Sequence, residues 1–410
     1  MKSLPDTSAI EREIEREFPP EPTTPLYEVG DIFRAYGDDY IETHPLNSTH
    51  ACIIKAISNC RTNALGAHVD QCDHCGHIEI SYNSCRNYYC PKCQGSQRFK
   101  WVNDRELELL PIQYFHFVFT LPHQLIPLLR YNQKLMYNLL MQISALTLQT
   151  FAQKKWGGKL GIIMALHTWG QTLNEHPHVH CIITGGVLKD DHSQFIHAPK
   201  NYLFSVEALS RVYREKYLAA LKKAWQSGSL VLPDKSIDQA TGWKTFIAPL
   251  YQHEWVVYAK KTCSKPEHLI RYVGRYINRV AISNSRIQSI NDGRISFNYH
   301  DNRTDKDQIM ILPAQEFIRR FLTHVLPRGF RRIRYYGFFV NSQRKAKLTL
   351  CRQLMGIDHP EKPYIADMDH LLTRLGYDAD LCPCCAQGTM QAIDIILPFH
   401  DPPQHYLEAV

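Results

Sequence analysis

One short block constrains this chain more than any other: His178-Val179-His180, followed by the apolar run Cys181-Ile182-Ile183 and closed by Gly185-Gly186. Successive side chains of a β-strand point to opposite faces. The block therefore presents two imidazoles on one sheet face and buries Val179 on the other. Two imidazoles so placed are half of a metal site. Upstream, Leu160 to Trp169 reads as a second strand, joined by the short connection Gly170 to Pro177. If the two strands pair antiparallel, His167 lies beside the histidine pair and is the first candidate for a third ligand. Gln171 is the alternative, and His176 a weaker one because it precedes Pro177.

The cysteines carry the second signal. There are thirteen, in a chain whose N-terminus is charged and lacks an apolar signal core. Such a chain is expected to stay in the cytoplasm, where cysteines serve metal sites more than disulfides. Cys72-x2-Cys75 and Cys90-x2-Cys93 are fourteen residues apart. That spacing predicts a zinc ribbon, with four thiolates closing a tetrahedral, structural site. Cys85, His68, His74 and His77 lie close enough to substitute. Arg86, Lys92, Arg98 and Lys100 stand among Tyr88, Tyr89, Phe99 and Trp101, a surface suited to DNA or to protein docking. Near the C-terminus, Cys382-x2-Cys385 is half of a second zinc site, to be completed by Cys351, by a histidine such as His370, or by oligomerisation.

Charge is distributed unevenly. Residues 1–50 carry eleven acids against four bases, whereas residues 261–350 carry eighteen bases against six acids. A basic region of that density suggests a polyanion, most simply nucleic acid. The 410 residues are 44% hydrophobic, enough for a buried core, and no apolar run is long enough to span a membrane. The reading divides the chain into an acidic segment (1–26), a helical segment with the zinc ribbon (27–110), a core with the histidine strand (111–300) and a basic C-terminal region (301–410).

Within the core, Pro266 opens a helical stretch, EHLIRYVGRYINRVAI. Tyr272 and Tyr276 are four apart and share a helix face, flanked by Arg271, Arg275 and Arg279. A tyrosine hydroxyl that attacks a phosphodiester forms a phosphotyrosine and conserves the bond energy for rejoining. A metal on the histidine pair would polarise the phosphate. The arginines, with Arg331, Arg332 and Arg334 downstream, would hold the DNA strand.

The ribbon CDHCGHIEISYNSCRNYYCPKCQ, the run YFHFVFTLP, the block LHTWGQTLNEHPHVHCIITGG and the stretch YVGRYINRVAISNSRI occur in this order. Together they resemble the two-tyrosine transposases of the insertion-sequence-91 family, within the His-hydrophobic-His class of single-strand nucleases. The resemblance implies an α+β fold, with an antiparallel sheet flanked by helices as the catalytic core behind a helical segment and a zinc ribbon. It implies His178 and His180 as metal ligands, and Tyr272 and Tyr276 as nucleophiles that become linked to 5′ phosphates. The implied substrates are single-stranded DNA at transposon ends and target, in rolling-circle-like transposition in a bacterial cytoplasm. Mg²⁺ or Mn²⁺ suits the phosphate chemistry and Zn²⁺ the cysteines. A plasmid or phage replication initiator uses the same chemistry and stays open. So do a zinc-ribbon regulator without catalysis and a metallohydrolase that needs no covalent intermediate.

Overall fold

The two longest strands are those around the histidines: β4 (Gly158–Trp169) and β5 (Glu175–Lys189). The structure, a computed structural model, describes residues 25–93, 95–260, 281–301, 304–357 and 380–398, together with Ile270 and Gly274. β4 and β5 are apolar on both faces, which requires cover on both sides. They pair antiparallel at the centre of a sheet ordered β11-β4-β5-β3-β7, with β3 at Tyr114–Thr120, β7 at Val257–Lys260 and β11 at Ile333–Gly337. The short β6 (Phe195–His197) pairs with the distal part of β5.

One face carries Ile162, Met164, Leu166, Val179, Cys181 and Ile183, all buried in the largest core. Two helices supply much of the cover: α5 (Gln133–Trp156), which follows the short α4 (Ile126–Tyr131), and α6 (Val206–Gln226). α6 starts where the Ser205 side chain accepts a hydrogen bond from the Ala208 amide at 3.2 Å. A further helix, α7 (Ala240–Gln252), adds Trp243 and Leu250 to this core. The other face carries Ile163, Ala165 and Ile182. These join Tyr114, Ile270, Phe338 and Phe339 in a separate core, against which Trp101 and Val102 of α3 (Gly95–Glu108) pack.

A second body unites distant parts of the chain. The N-terminal helices α1 (Val29–Thr43) and α2 (Ser48–Ser58) pack against a three-stranded sheet and a helix from beyond residue 280. The sheet is β8 (Ile287–Asn291), β9 (Arg294–Asp301) and β10 (Lys306–Pro313); the helix is α8 (Ala314–Thr323). Phe33 meets Phe321 edge-to-face at 5.2 Å, and Ile53, Ile54 and Ile57 are buried in the same cluster. Each such side chain contributes roughly 1.5–3 kcal/mol by leaving water. The third element is a small sheet in which β1 (Ala67–Cys72) is flanked by β2 (Ile78–Tyr82) and by β12 (Met390–Ile396).

The antiparallel α+β architecture agrees with the sequence reading, but the divisions at residues 110 and 300 do not separate packed units. β11 belongs to the central sheet although it lies beyond residue 300. β12 completes an N-terminal sheet, and α1 and α2 share a core with residues 281–325. Burial decides these partners, and local pattern does not carry that information. The remaining helix, α9 (Arg344–Leu354), is held to α3 by an ion pair between Arg344 Nε and Glu108 Oε1 at 2.9 Å. Residues 1–24 of the acidic segment 1–26 lie outside the described residues.

The sheet edge at β11 rests on Gly337, which has φ +63° and pairs with Gly161. A Cβ added there would stand 1.7 Å from the Leu160 carbonyl oxygen. Gly337→Ala should therefore cost about 2 kcal/mol or more of stability. Equilibrium urea unfolding checks this; an unchanged midpoint would show that β11 can shift without penalty.

Candidate active site and metal centres

Register builds the histidine centre. His167 of β4 stands opposite His178 of β5, and Ala165 opposite His180. Paired residues share a sheet face, so His167, His178 and His180 project together, on the face that also carries Ile163 and Ile182. Val179 is fully buried on the opposite face. The ligand-capable nitrogens of the three histidines lie within 4.8 Å of one another. His167 is held by stacking on Trp169, with ring centroids 5.0 Å apart. His180 and His167 are buried and His178 is half-buried.

Partners assign the ring protons. The His176 carbonyl only accepts, so at 2.6 Å from it His178 Nδ1 carries hydrogen and His178 Nε2 keeps a lone pair. His180 Nδ1 lies 2.8 Å from Nε2 of His116, which is buried on β3. When His180 donates across that contact, its Nε2 is also a lone pair, and it stands 3.1 Å from His178 Nε2. Two facing lone pairs repel unless a cation lies between them. The spacing matches neighbouring ligands of an octahedral ion with metal–nitrogen bonds of about 2.1 Å, which stand roughly 3.0 Å apart. Protonation is opposed too. Burial lowers the His178 pKa to about 4, with the neighbouring His176 adding to the shift. Burial, then the imidazoles of His167, His178 and His116, hold His180 well below its ordinary range. The donor set fits a divalent cation.

The other sequence candidates fall differently. Gln171 is exposed in the turn after β4, where its carbonyl accepts from Arg286. His176 is exposed beside His178 and contributes its carbonyl. Tyr272, Tyr276, Arg271, Arg275 and Arg279 lie outside the described residues. Arg331 is exposed. Arg334 is half-buried and bonds Asn138. Arg332, expected at a DNA surface, is 3% exposed. Its guanidinium lies over the rings of Tyr88 at 5.1 Å and Trp169 at 5.5 Å, so its charge is used internally.

The predicted single ribbon is two clusters. Cys90 and Cys93 join Cys60 and Cys85, whereas Cys72 and Cys75 join Cys382 and Cys385. The β1–β2 hairpin carries the first knuckle away from the second, and Cys60, just beyond α2, takes its place. Sulfur–sulfur separations in the first cluster are 3.5–3.7 Å. Cys351, an alternative partner for the tail knuckle, is instead buried in the core beneath the histidine face; His370 lies outside the described residues. His116 and Cys60 escaped the sequence reading. His116 had a visible signal, a polar residue inside the apolar strand YFHFVFT; Cys60 had none, since it sits in no paired motif.

The comparisons agree with this architecture. Residues 32–121 match the family profile described as "Transposase zinc-binding domain", and residues 161–347 match the one described as "Putative transposase". The chain is 42% identical over 390 residues to "Putative transposase y4qJ" of Sinorhizobium fredii, covering 92% of this chain and 97% of the relative. It is 32% identical over 288 residues to "Transposase for insertion sequence element IS801" of Pseudomonas savastanoi pv. phaseolicola, covering 69% of this chain and 68% of that relative. No solved structure matches the chain. The protein is a transposase with an N-terminal zinc-binding domain, and it belongs to the insertion-sequence-91 family. No helix among the described residues is long and apolar enough to cross a membrane.

A buried histidine outside the centre supports it from behind. His324 is 1% exposed; its Nδ1 accepts from Thr168 Oγ1 at 3.2 Å, and its Nε2 donates to the Leu173 carbonyl at 3.0 Å. Burial lowers its pKa from 6.5 to about 4. Between these values the unfolded chain binds a proton there and the folded chain does not. The contribution is thus complete above pH 6.5 and is lost as pH falls to about 4, amounting to ~3 kcal/mol. His324→Gln keeps a donor and an acceptor without the titration. Its urea midpoint should fall less than wild type between these pH values, and equal slopes would sink the assignment.

Proposed function

We propose that this transposase nicks and rejoins single-stranded DNA through a tyrosine linked to the 5′ phosphate, with a divalent metal on His167, His178 and His180. The observation that carries the reading is the convergence of three imidazoles on one face of the central sheet. The same face supports the assignment of Tyr272 and Tyr276 as nucleophiles. Ile270 and Gly274, from the same stretch of chain, are helical; Ile270 is buried with Ile163, Ala165 and Ile182, and Gly274 adjoins Val102 and Trp101 of α3.

His178 and His180 offer lone pairs, while the His176 carbonyl and His116 hold the ring protons on the opposite nitrogens. A bound divalent ion would supply Lewis-acid polarisation of the scissile phosphate. The tyrosine oxygen attacks phosphorus, forming a new O–P bond, and the P–O3′ bond breaks. The leaving 3′ oxygen takes up a proton to become a hydroxyl, and the phenolic proton passes to solvent. The phosphodiester energy is retained, so a 3′-hydroxyl can reverse the step, and a second tyrosine permits a further cleavage before the first strand is released. Mg²⁺ dehydrates reluctantly and prefers oxygen ligands, so the all-nitrogen donor set favours Mn²⁺ over Mg²⁺. Two clefts near the start of β5, of about 330 and 550 Å³, offer Arg130 and Arg319, with Arg328 in the larger. These cations suit a strand path to the histidines.

The test is cleavage of a labelled single-stranded oligonucleotide carrying the element's end, with Mn²⁺ or EDTA, by wild type, Tyr272→Phe, Tyr276→Phe and the double variant. A metal-dependent protein–DNA adduct on a denaturing gel, absent from the double variant, is expected. Tight binding of an authentic end without any adduct would reject the covalent mechanism and favour a regulator. A second expectation concerns His116 as a positioning residue. His116→Phe keeps the ring volume but should weaken Mn²⁺ binding about 10–100-fold in calorimetric titration; unchanged affinity would remove it from the site.

A further inference from the structure

The matched zinc-binding region ends at residue 121, yet one of the two cysteine clusters takes half its ligands from residues 382 and 385. We propose that Cys72, Cys75, Cys382 and Cys385 form a second tetrathiolate zinc site, a ribbon split between the two ends of the chain, which clasps the C-terminal strand onto the N-terminal module.

The two half-sites are built alike. In the first, the amides of His74 and Cys75 each donate to Cys72 Sγ at 3.4 Å, and the Gly76 amide donates to the Cys72 carbonyl at 3.1 Å. In the second, the Cys384 amide donates to Cys382 Sγ at 3.4 Å, and the Ala386 amide donates to the Cys382 carbonyl at 2.9 Å. The chain turns with positive φ at Gly76 (71°) and at Ala386 (51°). The Gly388 amide adds a bond to Cys385 Sγ at 3.4 Å. Amides aimed at sulfur stabilise thiolates, the form that binds metal.

The sulfurs then meet crosswise. Cys72 faces Cys385 and Cys75 faces Cys382, each pair 3.7 Å apart. A disulfide would need about 2.05 Å. Tetrahedral zinc with Zn–S bonds of 2.3 Å places its ligands about 3.8 Å apart. Nor is this a chance approach of a loose tail. The Thr389 amide donates to Asp73 Oδ1 at 2.8 Å, and the Asp73 amide returns a bond to the Thr389 carbonyl at 3.1 Å. From there β12 pairs antiparallel with β1 from Met390 opposite Cys72 to Ile396 opposite Ala67. Gly388 has no room for a side chain, since an added Cβ would lie 2.4 Å from Cys72 Sγ.

The clasp is separable from the chemistry on the histidine face, so its test does not depend on the proposed nuclease. The protein is prepared with Co²⁺ in place of zinc, and the thiolate-to-cobalt charge-transfer absorption is measured per chain; histidine-bound cobalt does not contribute to that band. Wild type should show two tetrathiolate equivalents and Cys382→Ser/Cys385→Ser one. A band unchanged in the double variant, or one equivalent in wild type, overturns the proposal. Hydrogen exchange on the zinc-loaded wild-type chain gives a readout without any variant. Chelation of zinc should remove protection from the amides of residues 390–396 while leaving those of β4 and β5 slow. Tail amides that stay protected when that zinc has been withdrawn would show that no metal holds the strand.

Discussion

The hydrogen-bonded register between β4 and β5 is the constraint on which the site depends. His167 opposite His178 and Ala165 opposite His180 bring three imidazoles to one face. A slip of one residue would exchange the faces, placing His178 and His180 in the apolar core and Val179 beside the remaining ring. The register has its own safeguards. Ile162, Met164, Leu166, Cys181 and Ile183 are committed to the opposite face by full burial. Irregularities between Leu160 and Ile162, and between His167 and Trp169, bracket the paired segment. The second of these follows the third histidine directly, where a bulge can re-aim a side chain.

A line of aromatic and cationic contacts joins this face to the cysteine-rich module. The Arg332 guanidinium lies over the rings of both Tyr88 and Trp169, and Trp169 stacks on His167. Tyr89, next along, accepts from the Leu326 amide through its hydroxyl at 2.9 Å. The cluster of Cys60, Cys85, Cys90 and Cys93 therefore does more than stiffen a separate domain: its loop supplies part of the packing that holds the third imidazole. This arrangement explains why Arg332 is buried in a chain whose surface charge is abundant. Its positive charge is compensated by ring faces.

Much of this was legible in the sequence where the signal was local. The alternation around Val179 fixed the strand and the face that its histidines share, and the short connection before it implied the antiparallel partner that brings His167 into place. What escaped depended on distance along the chain. Two CxxC motifs fourteen residues apart look like one site, because nothing within that window reveals that a hairpin separates them or that Cys60 and a C-terminal pair are better placed. Arg332 reads as one more base in a basic run; only the packing of Tyr88 and Trp169 distinguishes it. The same limit applied to the domain divisions, since β11 and β12 have partners some 170 and 320 residues earlier in the chain.

The split cluster has a consequence for the order in which the protein is made. A chain emerging from the ribosome exposes Cys60, Cys85, Cys90 and Cys93 early, and that group can close at once. Cys72 and Cys75 emerge in the same interval with no partners, and they wait until the whole central sheet has been synthesised. During that time β1 has one open edge and a half-built thiolate pair. Completion of this sheet thus waits on the synthesis of residues 382–396, and a message cut short anywhere before residue 382 yields a protein that cannot close it.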